Sequence, residues 1–323
     1  MAIKGWYYAQ LEAVRHEMQE RDDMFFLYEL TAPIAVGPEE TINLEEEFGR
    51  LRVYNTSINE MWYACAAIGG GMVGSTVFAY IPYQGGTIAF DALRQHAGRL
   101  RYKTGGKVGL PIVFFTEESG QSPTIGAQHS DWDEDIYFAH MPGIKTVVPS
   151  TVYDAKGFIH AAIRDPDPIV YINGGRLKGQ AEEVPDEPYE VPIGEAAVRR
   201  EGTDLTIVGY GSVMPYVMTV AEQLEGQGVS PEVIDLRSLF PLDRDTVLTS
   251  AQKTGKVLTV EPGKYSYGVG AEVIASVSEQ APGTIFRRLA YSDSPPPAAP
   301  EMFNWMQVTP ERISRAAEAI LQA

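Results

Sequence analysis

Cysteine is almost missing from this chain: Cys65 is the single one among 323 residues. One thiol forms no internal disulfide and no multi-cysteine metal site. Zinc ribbons and iron–sulfur clusters are therefore set aside, and a cytoplasmic setting is expected. Positive charge is scarce too, with 26 Lys and Arg against 43 Asp and Glu and a formal net charge of −17. Such a surface repels phosphate backbones and anionic lipid heads, so no nucleic acid partner is expected. A long hydrophobic run is also lacking. Residues 61–90 carry no charge, but Gly69, Gly70, Gly71, Gly74, Pro82, Gly85 and Gly86 interrupt them. The stretch thus breaks before the ~20 apolar residues a membrane-crossing helix needs, and no membrane span is expected. It reads as a buried helix, a turn and a buried strand. No secretory signal is visible in Met1-Ala2-Ile3-Lys4-Gly5-Trp6.

What is present is globular material, 44% apolar and 21% charged, in a chain long enough for two domains at ~100–200 residues each. Short β-branched runs alternate with helical patterns, the signature of a layered α/β fold with a mostly parallel sheet. The pattern predicts strands over 24–27, 52–54, 76–80, 112–115, 146–148 and 169–172. Helices are expected over 6–21, after Glu60, around 90–101 and over 152–164, the last capped at Ser150-Thr151. From 174 to 194 the pattern lapses into Gly, Pro and acids, which marks a linker. A second α/β set follows, with strands over 205–208, 232–235, 256–260 and 284–289 and helices over 215–225, 243–254, 271–279 and 311–321. The expected division is 1–186 and 187–323.

Gly69-Gly70-Gly71-Met72-Val73-Gly74 satisfies G-x-G-x-x-G, but it follows a helical pattern and precedes a strand, the reverse of a dinucleotide turn. Close packing at a helix end explains it better. Gly209-Tyr210-Gly211 and Gly268-Val269-Gly270 lie at strand-to-helix turns, yet each is only G-x-G. His16-Glu17-Met18-Gln19-Glu20 lacks the second histidine of a zinc helix, so His16 reads as an exposed helix residue. His96, His129, His140 and His160 have no paired ligand spacing, and no metal ligand is assigned.

Two residues remain in unusual company. Glu60 opens the uncharged stretch, where an apolar wall would raise its pKa and suit it to proton exchange. On spacing alone it reads better as the N3 acid of a capping box begun by Ser57. Within Gly126-Ala127-Gln128-His129-Ser130, a loop after a strand offers one imidazole, although a lone loop histidine is more often incidental.

A run of motifs resembles the beta chain of the thiamine-diphosphate-dependent 2-oxoacid dehydrogenases. In the first half these are Thr56-Ser57-Ile58-Asn59-Glu60-Met61, Tyr80-Ile81-Pro82-Tyr83, Gly126-Ala127-Gln128-His129-Ser130, His140-Met141-Pro142-Gly143-Ile144-Lys145 and Asp154-Ala155-Lys156-Gly157. In the second half they are Val233-Ile234-Asp235-Leu236-Arg237-Ser238-Leu239 and Gly268-Val269-Gly270-Ala271-Glu272. The resemblance implies two doubly wound domains, a thiamine-diphosphate-binding (pyrimidine-type) domain followed by a transketolase C-terminal-like domain. It implies that Glu60 hydrogen-bonds the cofactor's aminopyrimidine nitrogen and activates it, that Tyr83 lies against the pyrimidine, that His129 moves protons at the mouth of the site, and that Glu29 lines the pocket. The family's Gly-Asp-Gly diphosphate–magnesium motif does not occur. The resemblance therefore implies an alpha chain that holds magnesium, an alpha-two beta-two heterotetramer, and acyl transfer to lipoamide on an acyltransferase core.

Departures cluster around the pocket. The family's Gly-Glu-Asp reads Tyr28-Glu29-Leu30, and its Glu-Phe-x-x-Phe reads Ala79-Tyr80-Ile81-Pro82-Tyr83. Its Arg-Gly-Pro reads Thr116-Glu117-Glu118, and the segment after His129 is acidic, Asp131-Trp132-Asp133-Glu134-Asp135. A lost arginine and added carboxylates weaken attraction for a simple anionic 2-oxo acid. A specialised substrate is expected, with an acyloin-forming carboligase as the alternative and a non-catalytic scaffold as the rival from another class.

Overall fold

The computed structural model of the chain describes residues 1–29, 32–37, 39–80, 88–118 and 134–323. They fall into two compact units: 1–118 with 137–193, and 194–323 with 134–136.

The first unit is built on six parallel strands in the order Lys145–Val147, Ile169–Asn173, Ile112–Glu117, Thr76–Tyr80, Met24–Tyr28 and Val53–Asn55. A parallel sheet buried on both faces needs strands that are apolar nearly throughout, and MFFLY, TVFAY, IVFFTE and IVYIN supply them. Register stacks aromatic rings across the sheet: Phe26 lies on Phe78 with centroids 5.1 Å apart, and Phe115 on Tyr171 at 4.9 Å. One face is covered by the helices Trp6–Glu20 and Val152–Arg164. Thr151 caps the second, its hydroxyl accepting from the Asp154 N–H at 3.0 Å, as expected from a threonine before an acidic first turn.

The helix that opens at Glu60 runs to Met72, through the glycine triplet instead of stopping before it. A Cβ on Gly71 would lie 2.9 Å from Leu110, and one on Gly70 3.0 Å from Val77. These glycines let the helix lie close to the sheet, the close packing expected for them. Residues 92–97 form a wide π-turn that continues into the helix Gly98–Lys103.

The segment expected to be a linker is tied down. Ala181–Val184 pairs antiparallel with Ala2–Gly5, and Val184 and Val191 are buried. Lys156, 1% exposed, donates to the Pro185 and Asp186 carbonyls at 2.7 and 3.0 Å and to Glu12 at 2.8 Å. Glu12 also takes Lys4 at 2.7 Å. Polar composition suggested slack, but the polar groups are used here to satisfy two buried ammonium groups.

His16 is half-buried, not exposed, and its ring meets that of His160 edge-on, 5.5 Å between centroids. Between them sits Glu17, 1% exposed. Its Oε1 lies 2.7 Å from His160 Nδ1 and accepts from Arg164 Nε at 2.9 Å, while Oε2 accepts from Arg21 at 3.3 Å. His16, Glu17 and His160 are near enough to share a metal ion. Two guanidinium groups already neutralise the carboxylate, so the cluster is an ion-pair network that joins two helices.

The second unit has a five-stranded sheet in the order Ala197–Arg200, Pro231–Asp235, Leu205–Gly209, Lys256–Lys264 and Ile285–Tyr291, parallel except for the first strand. Its core is closed by the helices Met214–Glu225 and Pro310–Leu321. Here the G-x-G at 268–270 finds its use. Glu261, 1% exposed, accepts from the Gly270 N–H at 2.9 Å. A Cβ on Gly268 or Gly270 would stand 2.5 or 2.6 Å from its carboxylate oxygens. Burial raises Glu261 to about 8, so at neutral pH it is mostly the uncharged acid. The start of the helix Val269–Ser278 is occupied by a carboxyl group of the chain itself.

Burial works to raise Glu17, but hydrogen bonds from His160 and Arg164 outweigh it and hold the carboxyl at about 2, against an ordinary value of 4.5. A folded-state pKa below the unfolded one adds stability above pH 4.5 that is lost as pH falls toward 2, about 3 kcal/mol in all. Glu17→Gln is expected to destabilise the protein by about 3 kcal/mol at pH 7 in urea unfolding, with the gap to wild type narrowing as pH approaches 3.

Candidate active site

The C-terminal ends of parallel strands are where an α/β sheet exposes loops and helix starts to a ligand. In the first unit three neighbouring strands end in acids or polar aromatics. Met24–Tyr28 runs into Glu29, Thr76–Tyr80 ends on Tyr80, and Ile112–Glu117 ends on Glu117. Val53–Asn55, at the sheet's edge beside Met24–Tyr28, leads through a short loop into the helix Glu60–Met72. Register places Tyr28 opposite both Asn55 and Tyr80.

Asn59, not Ser57, caps the helix: its side-chain oxygen accepts from the Trp62 N–H at 2.9 Å. Glu60 is therefore the first helical residue and not the N3 acid of a capping box. An acid in the first turn still gains from the helix dipole, but its side chain is freed from the cap. Thr56, whose N–H donates to the Tyr28 carbonyl at 2.8 Å, pins the loop to the strand end.

Beside Glu60 lies Glu29, 1% exposed. The Asn59 N–H donates to its Oε2 at 3.2 Å, so one backbone amide ties the second carboxylate to the start of the helix. Burial and then the negative charge of Glu60 push Glu29 up, against a smaller opposing effect of that amide. Tyr63, one turn along the helix and fully buried, is also pushed up, by burial and then by Glu29 and Glu60. The pair thus has one carboxyl that prefers its proton and a half-buried partner open to a ligand. That is the arrangement for sharing a proton with a nitrogen base. Such a pair could receive the pyrimidine ring that the resemblance implies, with Glu60 as the hydrogen-bonding carboxylate and Glu29 as the wall behind.

Of the residues marked in the sequence, Glu29 and Glu60 come together. Tyr83 and His129 lie outside the described residues. Further along the edge, Glu117 is buried, accepts from the Tyr80 hydroxyl at 3.0 Å and pairs with Lys178 at 2.8 Å. Asn59 and Tyr63 were not singled out from sequence. Tyr63 stands at i+3 from Glu60, on the same helix face, and that spacing was the available signal.

A two-unit α/β chain of this layout has counterparts among known proteins. The pyrimidine-binding domain of transketolase matches residues 5–174, and the transketolase C-terminal domain matches 194–313. The chain belongs to the family of beta subunits of the 2-oxoacid dehydrogenase E1 components. It is 33% identical, over the full length of both chains, to the 2-oxoisovalerate dehydrogenase subunit beta of Bacillus subtilis. To the pyruvate dehydrogenase E1 component subunit beta of Rhizobium meliloti it is 38% identical over 272 residues, 84% of this chain and 59% of that longer protein. A solved structure, an inactive beta4 tetramer of a split-gene transketolase, shares the fold with a TM-score of 0.79 at 22% identity, covering 97% of each chain.

Because Glu29 is raised in the folded state, its ionisation costs stability progressively as pH rises past the ordinary carboxylate range. Glu29→Gln keeps an acceptor for the Asn59 amide and cannot ionise. Its thermal midpoint relative to wild type is expected to climb between pH 4.5 and pH 8, while activity falls; a constant difference would refute the buried, raised carboxyl.

Proposed function

We propose that this chain is the beta subunit of a heteromeric thiamine-diphosphate-dependent enzyme that decarboxylates a 2-oxo acid and passes the acyl unit to an acceptor, lipoamide on a separate acyltransferase core. The observation that carries the reading is the Glu29–Glu60 pair at the strand edge of a chain from this family. When bound, thiamine diphosphate supplies the carbon nucleophile and electron sink of the reaction. Glu60 holds and exchanges the proton at the pyrimidine nitrogen. Glu29, whose burial disfavours its charged form, forms the wall behind Glu60, which is the hydrogen-bonding acid of the site. Tyr83 is proposed to stack against the pyrimidine and His129 to move protons beside the substrate.

An alpha chain completes the site in an alpha-two beta-two heterotetramer and holds the diphosphate and magnesium. The missing Gly-Asp-Gly and the naming of relatives as beta subunits support this. Among the described residues no helix is long and apolar enough to cross a membrane, and the single cysteine supports a cytoplasmic site of action. The domain division is proposed at 1–186 and 187–323.

One observation favours a narrower substrate range. Thr116-Glu117-Glu118 stands where the resemblance expects Arg-Gly-Pro, and both acids are buried. A strand edge acidic at that point gives a plain 2-oxo acid less electrostatic attraction, which supports a specialised substrate or carboligation to an aldehyde acceptor. Oxidised lipoamide and an aldehyde, offered in parallel, separate the two by which captures the acyl group.

Native mass spectrometry of the complex captured through this chain is expected to give two copies of it, two of a second chain, thiamine diphosphate and magnesium. In the reconstituted complex Glu60→Gln is expected to lower kcat by about 10²-fold or more. His129→Ala is expected to lose less, mainly in substrate handling or acyl transfer. Unchanged turnover in Glu60→Gln would refute the mechanism and move the scaffold reading ahead.

A further inference from the structure

The helix Glu60–Met72 buries a hydroxyl that packing does not require. Tyr63 is 0% exposed, and its oxygen has no hydrogen-bond partner among the described residues. A buried donor left unpaired is destabilising, whereas phenylalanine would fill the same space without that cost. Two charged groups act on the phenol, Glu29 at the end of Met24–Tyr28 and Glu60 one turn back on its own helix. The other elements packed on this helix bring Tyr80, Arg94, His96 and Glu117. Tyr80 is bonded to Glu117, Glu117 is paired with Lys178, and none of the four is among the groups that act on Tyr63.

We propose that the Tyr63 hydroxyl is a positioning donor held in reserve for the Glu29–Glu60 pair, giving a hydrogen bond to the carboxylate that bears negative charge when the site is at work. This rests on the reading of Glu60 as the proton-exchanging carboxylate and adds a residue to it. Two neighbouring carboxylates hold their charges at a mutual cost. A phenol beside them lowers that cost by donating to the ionised one, because a hydrogen bond to a charged acceptor is about twice as strong as a neutral one. Burial and both acids push the Tyr63 phenol up, so it keeps its proton and serves only as a donor. Glu60 stands three residues before it on the same face, half-buried and uninvolved in the cap, and is therefore free to turn toward it.

The test is Tyr63→Phe, which preserves the ring and removes the donor. In the full chain without cofactor, thermal midpoints are compared at pH 5 and pH 8. At pH 5, where carboxylates carry less charge, the variant is expected to match or exceed wild type. At pH 8, where carboxylate charge is at its fullest, it is expected to fall behind, opening a gap of about 2 °C or more. In the reconstituted complex, the acid limb of the kcat–pH profile is expected to move up by about one pH unit, since the ionised form has lost a donor. An equal midpoint difference at both pH values together with an unmoved acid limb would overturn the proposal and leave Tyr63 as packing. Glu60→Gln, run alongside, tells the two failures apart. If it stays active, the reading beneath fails; if it is inactive while Tyr63→Phe titrates like wild type, only the role of Tyr63 fails.

Discussion

Two carboxylates brought to one strand edge form the constraint around which the first unit is arranged. The negative charge of Glu60 acts on the buried Glu29 and, after burial itself, disfavours its ionisation. The fold answers with unequal burial. Glu29 ends a buried strand and accepts a single backbone amide, from Asn59 at 3.2 Å, so its proton is favoured. Glu60 starts a helix, where the dipole favours charge and solvent is within reach. One short loop, capped by Asn59 and pinned by Thr56, sets both environments. Strand order supplies the rest: Val53–Asn55 lies directly beside Met24–Tyr28, so consecutive strand ends meet in space.

Elsewhere in the first unit, charge is buried for structural ends. Glu17 joins Arg21, His160 and Arg164, and Glu12 joins Lys4 and Lys156. Both acids lie on the helix Trp6–Glu20, and both networks reach the helix Val152–Arg164 that packs against it. Removing one partner from either network leaves a buried charge uncompensated, which costs far more than the intact pair contributes. The difference from the strand-edge pair is physical. Glu17 and Glu12 have cations at hydrogen-bond distance, whereas the group acting on Glu29 is another acid, the setting on which the proposed proton exchange rests.

Much of this was legible in the sequence because strands buried on both faces leave continuous apolar runs. The expected 24–27, 76–80 and 169–172 appear as Met24–Tyr28, Thr76–Tyr80 and Ile169–Asn173. What escaped was short or at an edge. Ala2–Gly5, Ala181–Val184 and Ala197–Arg200 are four residues each, too short for a period of two to show, and the last has a register shift between Val198 and Arg200. The linker was misjudged because acids and prolines are the same letters whether they face water or pair with a buried lysine. The helix start was misjudged by two residues, since Ser57 and Asn59 are both good caps and only the chain's path from Asn55 chooses between them. His16 and His160, 144 positions apart in sequence, meet because two helices pack, a fact no local spacing carries.

Tyr63 and Glu261 share a lesson about buried polar groups. Each sits in an apolar run where its hydroxyl or carboxyl looks incidental: YACAAIGGGM in one case, KVLTVEPGK in the other. For Glu261 the structure supplies the reason, since Gly268 and Gly270 are shaped around the carboxyl and the Gly270 amide answers one oxygen. The glycines that resembled a phosphate turn are there to admit an acid from the neighbouring strand. For Tyr63 no partner among the described residues answers the hydroxyl, yet the two acids assigned to the proposed chemistry act on it. A permanent partner suits a group whose charge state is constant; a donor left open suits a pair whose charge moves. On that ground the unpaired phenol belongs with the chemistry of the strand edge and not with the packing of the helix that carries it.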